Sequence, residues 1–291
     1  MGLFNKKSID KYKEALSNAV DDIIEEQHEE PEIIEQGTYQ PTEEDISVEY
    51  INNNILSEYN KDVLNVMDIE TIPDYKYQYM DKVESINILN YVSSIGNDSF
   101  KECINVKNIN FTAPVKDLSL GNNTFYNCCN LENFNFKGSF SNIGENCFAH
   151  CENLRSINLA GTDTIPNNAF LFNTSLSEIV IVNVQYIKAG AFMYCKSLTD
   201  INFGSCHNLL SIDAYAFSGC NLFKITIPDT VKEIGDYVFE DNFNLTDVYF
   251  EGKSNILLGD DIFKHCDNVT IHTNNNNIIE YCKKNNIRCT S

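Results

Sequence analysis

Eleven cysteines and five histidines are the side chains here best suited to attack, ligation or proton transfer. Thiols beside imidazoles are the raw material of zinc sites and of cysteine nucleophiles. Four such neighbourhoods occur: Cys147 with Cys151, His150 with Cys151, Cys206 with His207, and His265 with Cys266. None has the Cys-x-x-Cys spacing of a zinc site. His28, His150, His207, His265 and His272 have no acidic partner at a repeated interval. There is no glycine-rich phosphate loop, no nucleophile elbow and no His-Glu-x-x-His. The expectation is no catalytic residue, no metal ligand and no cofactor, hence no enzyme.

What the cysteines share is a place in a repeat. The stretch Ile143 to Leu159 shows it most clearly: an aliphatic residue, Phe five later, Cys three after that, Leu three later, then two apolar residues flanking one other. The Phe column reads Phe100, Phe125, Phe148, Phe170, Phe192, Phe217, Phe239 and Phe263, at steps of 22 to 25, and Tyr77 continues it upstream. Cys103, Cys128, Cys151, Cys195, Cys220 and Cys266 form the thiol column, where a small apolar side chain packs. The aliphatic column is Ile72, Ile95, Leu120, Ile143, Ile165, Ile187, Ile212, Ile234 and Leu258. About nine units of this period predict a solenoid, because one unit alone cannot bury its apolar face. The thiols are therefore expected to be free and buried.

Other columns carry expectations of their own. Gly96, Gly121, Gly144, Gly235 and Gly259 follow the aliphatic residue, as a corner needing positive φ would require. Ser99, Thr124, Cys147, Ala169, Ala191 and Ala216 precede the Phe and are small, as a tight bend would require. The apolar-x-apolar pair has the period of a short strand.

The pattern Ile-Gly-x-x-x-Phe-x-x-Cys-x-x-Leu-x-x-Ile-x-Ile resembles the BspA-type leucine-rich repeat, from about Leu64 to the C-terminus. Asn173 and Asn242 depart from it at the Cys, and Lys188 and Asp213 at the Gly. The resemblance implies an α/β solenoid of short parallel strands with a C-terminal helical cap, and protein recognition or adhesion without chemistry. The expected boundaries are an acidic segment over 1–60, the solenoid over 61–271 and the cap over 272–291.

Net charge is −21, and residues 1–60 hold four lysines against fifteen acids. Phosphate contacts need clustered Lys and Arg, so nucleic acid and anionic membrane are excluded as partners. In the first segment Tyr12, Leu16, Val20 and Ile23 share one face of an amphipathic helix after Ser8. Its lysines lead and its acids trail, against the helix dipole, so it needs a partner surface. That surface is the first coil, a second copy, in which case residues 1–27 drive oligomerisation, or another protein. Pro31, Gly37 and Pro41 mark a linker, and residues 42–56 fit a helix or an edge strand equally.

One column points away from the core: Asn65, Asn87, Asn110, Asn135, Asn158, Val180, Asn202, Thr226 and Tyr249. Its amides are expected to stack as a ladder, with Tyr249 as an aromatic anchor where the ladder ends. The expected function is a protein-binding module whose face is Asn87, Asn110, Asn135, Asn158, Asn202, Thr226 and Tyr249, its partner another protein. The alternative is a structural part of a larger assembly such as a viral particle, anchored by the N-terminal segment. Without a signal-like or membrane-spanning apolar run, the expected place is the cytoplasm, or a virion for the alternative.

Overall fold

The computed structural model describes residues 62–290, apart from Asp68, Asn90 and Pro114. The N-terminal expectations (the helix of Tyr12, Leu16, Val20 and Ile23, the linker, oligomerisation through 1–27) lie outside the described residues. Most coils of the solenoid contribute to two parallel sheets. In these the apolar-x-apolar pair enters the first sheet and the aliphatic-column residue the second.

The first sheet comes in three pieces. Strands Val63–Val66, Ser85–Ile88, Asn108–Phe111 and Asn133–Asn135 pair in parallel, coil on coil. Ser156–Asn158 then pairs with Glu178–Val180, and after a break Lys224–Ile227, Asp247–Phe250, Thr270–His272 and Arg288–Thr290 form the last piece. Register aligns like with like: Ile86 opposite Ile109, Asn87 opposite Asn110, Val248 opposite Ile271. The second sheet, unforeseen from sequence because its strands are mostly two residues long, comes in two pieces, Thr71–Ile72 to Ser139–Asn142 and Thr164–Ile165 to Leu257–Leu258, and carries the aliphatic column apart from Ile143.

Between the sheets the Phe column stacks with ring centroids 5.2 to 5.9 Å apart from Tyr77 to Phe263. Offset stacking at this spacing adds to the area each ring buries. The Phe–Cys–Leu segments are turns rather than helix. The reason is periodic: residues two before and two after each ring of the column hold φ between 51° and 67° in all nine coils. Asp98 and Glu102, Asn146 and His150, Asp261 and His265 are such pairs. A left-handed residue on each side stops a helix from propagating.

Two expectations about small residues change their physical reason. Gly96, Gly121, Gly144, Gly235 and Gly259 do not have positive φ. Instead, a Cβ on Gly144 would lie 2.3 Å from the Gly121 carbonyl carbon, and one on Gly235 would lie 2.4 Å from the Ala214 nitrogen. The corner is a place of close backbone approach, not of unusual dihedral angle. The residue before the Phe, small in most coils but Val238 and Ile262 in the last two, is buried between coils, where its carbonyl accepts the N–H of the aromatic-column residue one coil earlier. Thus Phe100 N–H donates to the Thr124 carbonyl at 2.9 Å, and Phe125 N–H to that of Cys147 at 2.8 Å.

All eleven cysteines are free, and the column thiols have one job in common. Each Sγ–H donates to the main-chain carbonyl of the aromatic-column residue one coil earlier, as Cys128 does to Phe100 at 3.2 Å and Cys266 to Phe239 at 3.0 Å. Burial pushes the Cys220 and Cys266 thiols up to about 12. Asn242 does the same work with an amide, donating to Phe217 at 2.8 Å while accepting the Leu222 N–H at 3.0 Å.

The cap is a helix, Asn276–Lys284, with Ile278 and Cys282 buried. Asn275 starts it: its Oδ1 accepts from the Asn277 N–H, and its Nδ2 ties back to the Gly252 and Ser254 carbonyls. Lys283 and Lys284 lie in the last turn, where cations suit the dipole. The chain then returns as strand Arg288–Thr290, an added rung on the sheet. No helix among the described residues is long and apolar enough to cross a membrane.

Candidate functional site

Period-two geometry directs alternate residues of the first sheet out of the core, and in the first four coils these are amides. Asn87 Nδ2 donates to Asn65 Oδ1 at 2.9 Å, Asn110 to Asn87 at 3.0 Å, and Asn135 to Asn110 at 2.7 Å. Beside them Asn133 donates to Asn108 at 2.8 Å. A ladder of this kind holds each amide in one rotamer and still leaves donors and acceptors facing outward.

The ladder ends sooner than the column of residue types suggested. Asn158 Oδ1 turns to accept the Ala160 N–H at 3.1 Å, and Asn202 Oδ1 accepts the Gly204 N–H at 2.7 Å. Both serve their own chain. The sheet breaks here too, because residues 199–203 form no strand. Thr226 and Tyr249, by contrast, are neighbours in register.

Tyr249 is not a free aromatic anchor, since both its faces are occupied. The His272 ring stacks on one at 4.3 Å and 11°, and Lys224 Nζ lies 4.5 Å from the ring centre. His272 is fixed in turn: Nε2 meets Asp247 Oδ1 at 2.7 Å and Nδ1 meets Thr290 Oγ1 at 2.9 Å. A carboxylate only accepts, so in the neutral ring Nε2 carries the proton and the Thr290 hydroxyl donates to Nδ1. The His272 hydrogen bond, then that of Thr246, holds the Asp247 carboxyl below the usual carboxylate range. The row of Thr290, His272 and Asp247 holds the His272 ring against Tyr249.

Sequence reasoning set Lys224 and Asp247 in the column beside this one but did not place His272 or Thr290 on the face. His272 was nonetheless legible, since Thr270-Ile271-His272 continues the outward column by one coil. Two cavities flank this stack. One of about 390 Å³ lies against Asp200, Asn202, Phe203 and Asp229, and another of about 370 Å³ against Tyr249, His272 and Asn274.

Away from this face, the stacking brings Glu240, Asp241 and His265 together, with one ligand atom of each within 4.8 Å of the others. These three are the residues able to hold a metal ion among those described. Each is already engaged: His265 Nδ1 with Asp241 at 2.7 Å, and Glu240 with Lys264 at 2.8 Å.

Comparison with known proteins agrees with this architecture. A crystal structure of a leucine-rich repeat protein from Bacteroides ovatus superposes with a TM-score of 0.55 at 24% identity, over 72% of this chain and 63% of that one. The chain thus spans less than two thirds of that protein's length. A leucine-rich cell surface protein from Faecalibacterium prausnitzii matches at 17% identity and a TM-score of 0.44, over 74% of this chain and 82% of its own. At 24% identity the first likeness is one of fold alone. A search of curated proteins finds no match. The model of the BspA-type leucine-rich repeat region matches residues 70–196 and 163–290, with six copies. With that repeat running through well over half of its length, the chain belongs to the BspA-type leucine-rich repeat family.

Proposed function

We propose that the chain is a non-catalytic recognition module that binds another protein through the outward face of its first sheet. One observation carries the reading: side chains on that face are held in place without being used by the core. Asn87, Asn110 and Asn135 are locked by their neighbours in the ladder, and Tyr249 by His272 and Lys224. Preorganised side chains lose little freedom on binding, which is where much affinity is otherwise spent. The face also changes character along its length, from uncharged amides to charge and aromatics, so a partner can be read in one register only. Asn158, Asn202 and Thr226 lie between the two halves and complete the contact surface.

The test is a comparison of captured partners. Charged substitutions at Asn87 and Asn110 with Tyr249→Ala should abolish capture that the parent chain shows. Substitutions at exposed Asn153 and Lys196, on the turn side, should leave it intact. Loss in both, or in neither, would refute the reading.

A further inference from the structure

We propose that the turn edge of the last coil binds an extended, uncharged peptide segment of another protein, added as one more rung. The inference goes beyond the reading of the first-sheet face and concerns the C-terminal end of the solenoid. In the eight coils from Tyr77 to Phe239, the aromatic-column residue and the residues two before and two after it all donate their N–H groups to the following turn. The acceptors are main-chain carbonyls, at 2.7 to 3.1 Å. Tyr237, Phe239 and Asp241, for example, donate to Asp260, Ile262 and Lys264. The ninth coil has the same three donors, on Asp261, Phe263 and His265, and none of them meets an acceptor among the described residues. The cap passes them by. On the strand side Arg288–Thr290 supplies a tenth rung. The helix answers other donors, the Ile256 N–H through Asn277 Oδ1 at 3.0 Å and the Ile262 N–H through the Tyr281 hydroxyl at 3.1 Å.

Between this edge and the cap helix lies a groove of about 600 Å³, well inside the roughly 300 to 1,000 Å³ of ligand sites. The opening reaches the core: Phe263 keeps 7% of its surface exposed, where every column Phe from Phe100 to Phe239 keeps none. The carbonyls of Asp260, Ile262 and Lys264 point back at the previous coil, so the forward edge carries donors only. Its occupant must bring acceptors at every second residue. An extended segment of about five residues does so along one edge. A second copy of the chain cannot. Seating its Tyr77 turn on the donors would drive its strand Val63–Val66 into the place of Thr270–His272, and Ser85–Ile88 into that of Arg288–Thr290. An anion is a poor match as well. Asp261 and Asp267 line the groove without an ion pair among the described residues, while Lys264 and His265 are held by Glu240 and Asp241. Those two carboxylates suit the N–H groups of a peptide instead. Phe263, Val269 and Ile287 give its side chains an apolar floor.

The probe is the blocked peptide acetyl-Ser-Val-Ser-Val-Ser-amide, titrated into the isotope-labelled full chain, with sodium acetate and sodium phosphate as separate arms. Without peptide, the amides of Asp261, Phe263 and His265 should exchange with solvent faster than those of Tyr237, Phe239 and Asp241. The peptide should shift the first three saturably and slow their exchange roughly ten-fold at about nine-tenths occupancy, leaving the second three unchanged. Added salt should not weaken this binding, because no ion pair forms. Equal protection of the two sets in the free chain, or no saturable shift with the peptide, would overturn the inference. Equal shifts with acetate or phosphate would overturn it in favour of an anion. Shifts of the same three amides on concentrating the chain alone would overturn it in favour of a second copy.

Discussion

Lys188 Nζ lies 3.3 Å from Asp213 Oδ2, so the two departures from the glycine column in adjacent coils answer each other. The Tyr186 ring lies 5.0 Å from the same ammonium, and Ser211 Oγ donates to Asp213 Oδ1 at 3.0 Å. Asp213 is buried, and burial raises its pKa above the ordinary value, with Lys188 and Ser211 pulling it partly back. Replacing Lys188 with Gly should cost about 2–3 kcal/mol in urea unfolding, below the roughly 3–5 kcal/mol of a fully buried pair because Lys188 reaches solvent.

The same carboxyl sets a pH dependence. A folded-state pKa above the unfolded one means that the native protein holds this proton more tightly. Its stabilising effect is complete below the unfolded carboxylate range, about pH 4, and is lost as pH rises through the raised value. Glu233, raised by burial and by Asp213, acts in the same direction. Relative to Asp213→Asn, the parent should therefore lose stability as pH rises from about 4 through the raised value. Unfolding midpoints that run parallel from acid to neutral pH would contradict this.

Asn173 and Asn242 stand in the cysteine column but differ in what they satisfy. Asn242 meets the Phe217, Phe239 and Glu240 carbonyls and the Leu222 N–H, whereas Asn173 accepts the Cys151 N–H and leaves its buried Nδ2 unpartnered among the described residues. The same substitution should have opposite signs at the two sites. Asn173→Cys should stabilise by about 1 kcal/mol, and Asn242→Cys should destabilise by about 1–3 kcal/mol. Thermal and urea midpoints of the two variants decide the matter.

Columns that repeat in type, such as the Phe or the Cys, were legible in the sequence because only stacking satisfies them. Strand register and the outward Asn column followed from the same period. Contacts between columns were hidden. That Lys188 faces Asp213, or that His272 bridges Asp247 and Thr290, depends on how neighbouring coils align. The paired left-handed positions were hidden by their varied residue types, Tyr and Glu among them. The glycine column misled because close approach and positive φ select the same residue.

That ambiguity is open to experiment. Gly144→Ala should cost about 1–3 kcal/mol or more, because its Cβ meets backbone of the previous coil, which cannot move alone. Gly204→Ala should cost little, since its near neighbour is the Asn202 side chain. Equal unfolding free energies for the two variants would refute close approach as the reason for the column.

Thiol reactivity follows burial. Cys129 and Cys289 are half-buried and should alkylate first in the folded chain. Cys147 and Cys220, their thiols pushed up to about 12 by burial, should react only on unfolding. Peptide mass mapping after a timed alkylation gives the order directly.

Recognition through the first sheet is tested most directly by position-specific photocrosslinking in the native cell. A photoreactive side chain is placed in turn at Asn110 and Thr226 on the outward face, and at Asn153 and Lys196 on the turn side. If the first sheet is the recognition face, the two face positions join the chain to the same protein and the turn positions do not. Crosslinks from Asn153 and Lys196, with none from Asn110 and Thr226, would contradict it.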